Sequence, residues 1–143
     1  MDKKQLSKLR SYFAGFPSVS AVYLFGSQAR KEAKTQSDID IAVLFAEKTT
    51  EKYNARIQFT EDLRKLLGKN IDICDIQQGD IPFAYRILSE SVILYVGDDQ
   101  RRISFEVQLL RNYFDMHAFF EEYYQTIAKL AKEGRIHARP LTY

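Results

Sequence analysis

With 143 residues, 45% of them apolar and 28% charged, the chain has the composition of an ordinary soluble globular protein, long enough for one substantial core and free of any sign of disorder or fibre. A net charge of +2 is close to balance, so composition gives no argument for direct nucleic-acid binding, and only local clustering of charge could supply one. The one cysteine, Cys74, cannot close an intrachain disulfide, which excludes a stapled scaffold; its apolar neighbours make it an inert core thiol.

The opening MDKKQLSKLRSYF has no continuous apolar stretch, and the longest apolar run, residues 41–46, is too short to span a bilayer; a cytoplasmic location is the default expectation. Leu6, Leu9 and Phe13 recur at helical spacing and predict an amphipathic helix over Lys3–Ala14, stopped by Gly15 and Pro17. Residues 21–25 form a short apolar run with β-branched and aromatic bias, the pattern of a strand buried on both faces. Residues 28–34 are polar helix formers, and 37–45 return to strand character. Tyr53, Ile57, Thr60, Leu63 and Leu67 mark a second amphipathic helix ending at Gly68, where a left-handed cap costs little.

Residues 70–76 (NIDICDI) read as a strand, Pro82 suits the first turn of a helix to about Ser89, and Val92–Val96 is a further strand closed by Gly97. No proline or glycine interrupts residues 100–133, which predict one long helix stopped at Gly134. Helices and strands alternate throughout, so the expected fold class is α/β (α+β): a small mixed sheet flanked by helices, with a long C-terminal helix. The expected organisation is a core over 1–98, a long helix over 99–134 and a tail over 135–143.

The chemistry concentrates in GSQARKEAKTQSDIDIAV, Gly26 to Val43. Side chains alternate along a strand, so Asp38 and Asp40 face one side roughly 6.5 to 7 Å apart and can converge on a common point. Two such anions repel unless a cation sits between them, and hard oxygen ligands suit Mg²⁺ or Mn²⁺. Upstream, Gly26 lets the backbone approach a ligand closely, Ser27 adds a donor, and Arg30 lies one turn on. A Gly-Ser pair or a D-x-D pair alone is a weak signal. Their joint spacing, Gly-Ser, ten residues, then Asp-x-Asp, resembles the signature of the minimal nucleotidyltransferases within the DNA polymerase β-like superfamily.

That resemblance implies a nucleotidyltransferase fold, a triphosphate held by Gly26 and Ser27 with help from Arg30, and metal held by Asp38 and Asp40. It also implies a third carboxylate on a neighbouring strand, for which Asp72 and Asp75 are the candidates. Alternation sets Asp72 on the face opposite Ile71 and Ile73, and Asp72 is the choice; Asp75 reads as a solvated strand-end residue. Three acids would hold two metal ions about 3.5 to 4 Å apart, with Asp72 nearest the nucleophile.

The downstream order, including Arg86-Ile87-Leu88, the VILYVGD segment and the long helix opening Arg101-Arg102-Ile103, is similar to the antitoxin branch of that family. Members of the branch are encoded beside a HEPN-domain ribonuclease toxin, and the resemblance implies transfer of AMP from ATP to a toxin tyrosine. Within the helix, Leu109, Tyr113, Met116, Phe120, Tyr123, Ile127 and Leu130 form a heptad seam, widened by Phe114, Phe119 and Tyr124. A face so broad predicts contact with two surfaces, the domain itself and another molecule. Glu121, Glu122, Lys129 and Lys132 read as a solvated face. His117 and His137 are too isolated for a zinc site, and the tail reads as a frayed terminus. Two alternatives stand beside this reading: an antitoxin that acts by steric occlusion, and a small-molecule nucleotidyltransferase of the aminoglycoside type, whose extra substrate domain 143 residues would leave little room for.

Overall fold

A capping box opens the first helix: the Asp2 side chain accepts from the Gln5 N–H at 2.7 Å while the Gln5 side chain accepts from the Asp2 N–H. The computed structural model describes residues 1–30 and 37–135. In chain order these form α1 (Lys3–Ala14), β1 (Val19–Phe25), α2 (Gly26–Ala29), β2 (Ile39–Phe45), α3 (Lys52–Leu67), β3 (Ile71–Asp75), α4 (Ile81–Glu90), β4 (Val92–Val96) and α5 (Asp99–Lys132). The expected order is the observed one. The expectation of helix over 28–34 falls largely outside the described residues, as do His137 and all of the tail beyond Arg135.

The four strands lie in the order β3-β2-β1-β4, with β2 and β3 parallel and the other pairs antiparallel, so the sheet is mixed as expected. Helices cover both faces, which is why the two central strands are apolar almost throughout. On one face, α1 and α3 bury Leu9, Phe13, Phe59 and Leu63 against Val22, Leu24, Ile41 and Val43. Phe59 lies at its centre, within 4.8 to 6.3 Å of the rings of Tyr12, Phe13, Phe16 and Phe45. On the other face, α4 and the first third of α5 bury Ala84, Ile87 and Leu109 against Ala21, Tyr23, Ala42 and Leu44.

Helix ends follow their local chemistry. Gly68 closes α3 at φ +64°, in the left-handed region that other residues avoid. Asp80 caps α4 by accepting from the Phe83 N–H at 2.8 Å, with Pro82 in the first turn. Asp98 does the same for α5 through the Arg101 N–H.

One strand begins later than the sequence suggests. Pairing of β2 with β3 starts at Ile39, opposite Ile71, and the Ile39 N–H donates to the Asn70 carbonyl. Asp38 therefore sits just before the strand rather than inside it.

The helix α5 is about 51 Å long at 1.5 Å per residue. Its anchoring to the sheet is polar as well as apolar: the Tyr23 hydroxyl donates to Glu106 at 2.8 Å, and Arg102 donates to both Glu106 oxygens at 3.1 Å and to Asp99 at 2.7 Å. Of its residues only Leu109 is fully buried. The Tyr113 ring stacks on Tyr85 of α4 at 3.6 Å, so the start of the heptad seam belongs to the domain. Beyond it Phe114, Phe119, Tyr123 and Tyr124 are each at least half exposed, and Glu121, Glu122, Lys129 and Lys132 face solvent. No described helix is long and apolar enough to cross a membrane.

Candidate active site

The backbone brings Asp40, Asp72 and the residue before Gly26 into one row. Phe25, the last residue of β1, pairs with Asp40, and Asp40 pairs with Asp72 across the parallel β2–β3 ladder. Neighbouring strands are about 4.8 Å apart, and paired residues share a face, so the Asp40 and Asp72 side chains stand side by side on the face that carries α4 and α5. Gly26 follows Phe25 immediately at φ +69°, and a Cβ there would collide with the Asp40 carboxylate. The glycine is thus required twice, by its backbone conformation and by the acid beside it. Ser27 sits half-buried in the single turn of α2 that this glycine opens.

Asp40 is half-buried, whereas Asp38 and Asp72 are exposed. Burial is the main cause that pushes the Asp40 pKa above the ordinary carboxylate value; the charges of Asp72 and then Asp38 add to it, and Arg30 opposes it. All four charged residues singled out in the sequence therefore share one electrostatic neighbourhood. Among the described residues no group of three or more acid, histidine or cysteine side chains is placed to hold a metal ion by itself. An open pair of carboxylates is nonetheless what Mg²⁺ uses when waters and substrate phosphates complete its shell. The donor set fits that ion.

Asp75 corrects an expectation. It is 1% exposed, not solvated, because it lies on the Ile71 and Ile73 side of β3, in register with Val43 and under the start of α3. Its Oδ1 accepts from the Gln77 N–H at 2.9 Å, and Lys52 Nζ approaches Oδ2 at 3.8 Å. It points away from the Asp40–Asp72 face. Cys74 is half-buried beside Asp72 rather than deep in the core, and its thiol is pushed up to about 11, first by burial and then by the Asp72 charge.

Two residues of this neighbourhood escaped the sequence reading. Gln28 is 7% exposed; its amide donates to the Ser37 carbonyl at 3.5 Å, tying α2 to the segment that enters β2. Glu90, the last residue of α4, pairs with Arg30 at 3.4 Å across 60 residues of sequence. A buried glutamine inside a polar run is a faint signal for the first; nothing local announces the second.

A row of carboxylates at one end of a mixed sheet, against a Gly-Ser turn, is the arrangement that the resemblance implies. Residues 7–100 match the family model described as Polymerase beta, Nucleotidyltransferase, and the chain belongs to that family. Protein adenylyltransferase MntA of Shewanella oneidensis is 28% identical over 102 residues, 71% of either chain. Among solved structures, a toxin–antitoxin with AMP-PNP superposes with a TM-score of 0.66 at 22% identity, over 90% of this chain and 99% of that one. The tri-AMPylated Shewanella oneidensis HEPN toxin in complex with MNT antitoxin gives a TM-score of 0.65 at 22% identity, with the same coverage. These superpositions place the described architecture, the long terminal helix included, within the nucleotidyltransferase fold.

Proposed function

We propose that this chain is an antitoxin protein adenylyltransferase, which transfers AMP from ATP to a tyrosine hydroxyl of a cognate HEPN-domain ribonuclease toxin and so neutralises it. The observation that carries the reading is the in-register pairing of Asp40 with Asp72 beside Gly26. The relative named for protein adenylyl transfer, and the fold neighbours solved with AMP-PNP and with an AMPylated HEPN toxin, support it.

In this reading Gly26 and Ser27 hold the β- and γ-phosphates, and Arg30 offsets their charge. Asp38, Asp40 and Asp72 hold Mg²⁺, as two ions, with Mn²⁺ as a substitute. When bound, the metal neutralises the triphosphate and favours ionisation of the acceptor hydroxyl. The acceptor oxygen bonds to the α-phosphorus, the bond from that phosphorus to the bridging oxygen breaks, and pyrophosphate leaves with the electron pair. Asp72, exposed at the end of the row, takes the hydroxyl proton and passes it to water. The rest of the work is positioning, because phosphoryl transfer asks little covalent help of a protein. The setting is cytoplasmic, and direct nucleic-acid contact plays no part.

The exposed half of α5 is assigned to the toxin. Its uncovered aromatic side chains also favour a second reading, in which the antitoxin occludes its partner and catalysis is incidental. Incubating the chain and its cognate toxin with labelled ATP and Mg²⁺ separates the two. Label on the toxin, lost in Asp38→Asn/Asp40→Asn together with neutralisation, supports transfer; neutralisation that survives the double variant supports occlusion. For the helix, Phe119→Asp with Tyr124→Asp is expected to weaken toxin binding while changing stability by less than about 0.5 kcal/mol, checked by pull-down and urea denaturation.

A further inference from the structure

The sheet ends at β3, and no strand among the described residues pairs with its outer edge. The Ile39 N–H donates to the Asn70 carbonyl and the Ile76 N–H to the Val43 carbonyl, so the even-numbered residues of this stretch turn their backbone groups toward β2. The N–H and C=O groups of Ile71 and Ile73 therefore point outward, where no hydrogen bond among the described residues uses them. An open edge of this kind is a template for a further strand. Two different surfaces flank it. On one face stands the exposed Asp72, paired with Asp40. On the other, α3 and Ile73 line a cavity of about 250 Å³. Arg56 and Arg64 contribute to its wall, as does Glu61, which leaves an excess of positive charge. The Arg56 Nε is buried without a hydrogen-bond partner among the described residues, and the Tyr53 ring lies 5.9 Å from its guanidinium. A buried donor left unmatched carries a desolvation cost, which an anionic occupant relieves.

We propose that this edge docks the acceptor: an extended segment of the toxin adds to β3 as a further strand, through the backbone groups of Ile71 and Ile73. This rests on the AMP transfer to a tyrosine proposed above. Residues opposite one another on neighbouring strands share a face, so a segment residue beside Asp72 points to the acid row, and the residue next to it in sequence points to the Arg56 cavity. A strand spacing of about 4.8 Å puts the first of these within reach of Asp72. Alternation then dictates the chemistry of the segment. Tyrosine takes the first position, and aspartate or glutamate the second, where its carboxylate accepts from Arg56. The backbone bonds give affinity with little regard to sequence, and the acidic neighbour selects the tyrosine.

Two measurements on the full chain with its cognate toxin test this. Amide exchange of the wild type, followed by NMR with and without toxin, is expected to show the Ile71 and Ile73 N–H groups slowed by about tenfold or more in the complex. In AMP transfer with labelled ATP and Mg²⁺, Arg56→Ala is expected to raise KM for the toxin about tenfold, with partial recovery in Arg56→Lys. The kcat, the KM for ATP and the thermal midpoint should be kept. Mass spectrometry of the modified toxin should find Asp or Glu next to the acceptor tyrosine, and replacing that acid by arginine should restore the transfer lost in Arg56→Glu. Exchange at Ile71 and Ile73 unaltered by the toxin, an unchanged KM for the toxin in Arg56→Ala, or an acceptor without an acidic neighbour overturns the docking and leaves the transfer standing. Slow exchange at these amides in the free chain shows the edge already filled, by a second copy or by the chain itself, and overturns it too. A wild type that puts no AMP on the toxin overturns both.

Discussion

Two polar clusters lie on one face of the sheet, two residues apart along its strands, and they are built on opposite principles. Tyr23, Glu106, Arg102 and Asp99 form a closed network in which each charge faces its complement, clamping α5 to β1. Asp40, opposite Phe25 at the end of the same strand pair, has two further acids for neighbours and an arginine shared with Glu90. The first cluster is satisfied by the chain alone. The second is left to be satisfied by something the chain binds, and sites of that kind tend to cost stability.

Exchanging the charges tests this contrast directly. Asp40→Asn is expected to lower AMP transfer by about a thousandfold, the scale of several kcal/mol of transition-state stabilisation, without lowering the thermal midpoint of the nucleotide-free protein. Tyr23→Phe should do the reverse: it deprives a half-buried Glu106 of a donor and costs about 1 to 2 kcal/mol in urea unfolding, while transfer per folded molecule is kept. A destabilised Asp40→Asn, or a Tyr23→Phe that loses transfer but not stability, would erase the distinction.

Acidity sharpens it further. Burial, Asp72 and Asp38 raise the pKa of Asp40 in the fold above its unfolded value, so the fold binds more protons there than the unfolded chain does. Its contribution to stability is therefore greatest at pH below the unfolded carboxylate value and is lost as pH rises through the raised one. Urea unfolding across that window, without nucleotide or metal, should show this slope in the wild type and a smaller one in Asp40→Asn. A last check concerns Cys74, away from catalysis. With its thiol pushed up to about 11 from an ordinary 9.0, its thiolate at neutral pH is about a hundredfold scarcer than that of a free cysteine, and alkylation there should be slowed accordingly.

Much of this was legible in the sequence because it is local. Gly26, Ser27 and Asp40 lie in one strand–turn–strand unit whose spacing is written in consecutive residues, and β alternation together with the family resemblance separates Asp72 from Asp75. The remainder depends on contacts between distant segments. Asp38 lies just outside β2 because the start of β3 decides where pairing begins. Asp75 is buried because α3 brings Lys52 over it. Glu90, which pairs with Arg30, lies 60 residues downstream, on a helix whose pattern records only its apolar face.

The length of α5 has one more consequence. From Tyr113 to Lys132 it extends about 28 Å beyond its last stacking contact with α4, so in the proposed reading the grip on a toxin and the transfer of AMP occur at separate places. A partner tethered by the helix presents its acceptor at a high local concentration, set by the tether rather than by solution.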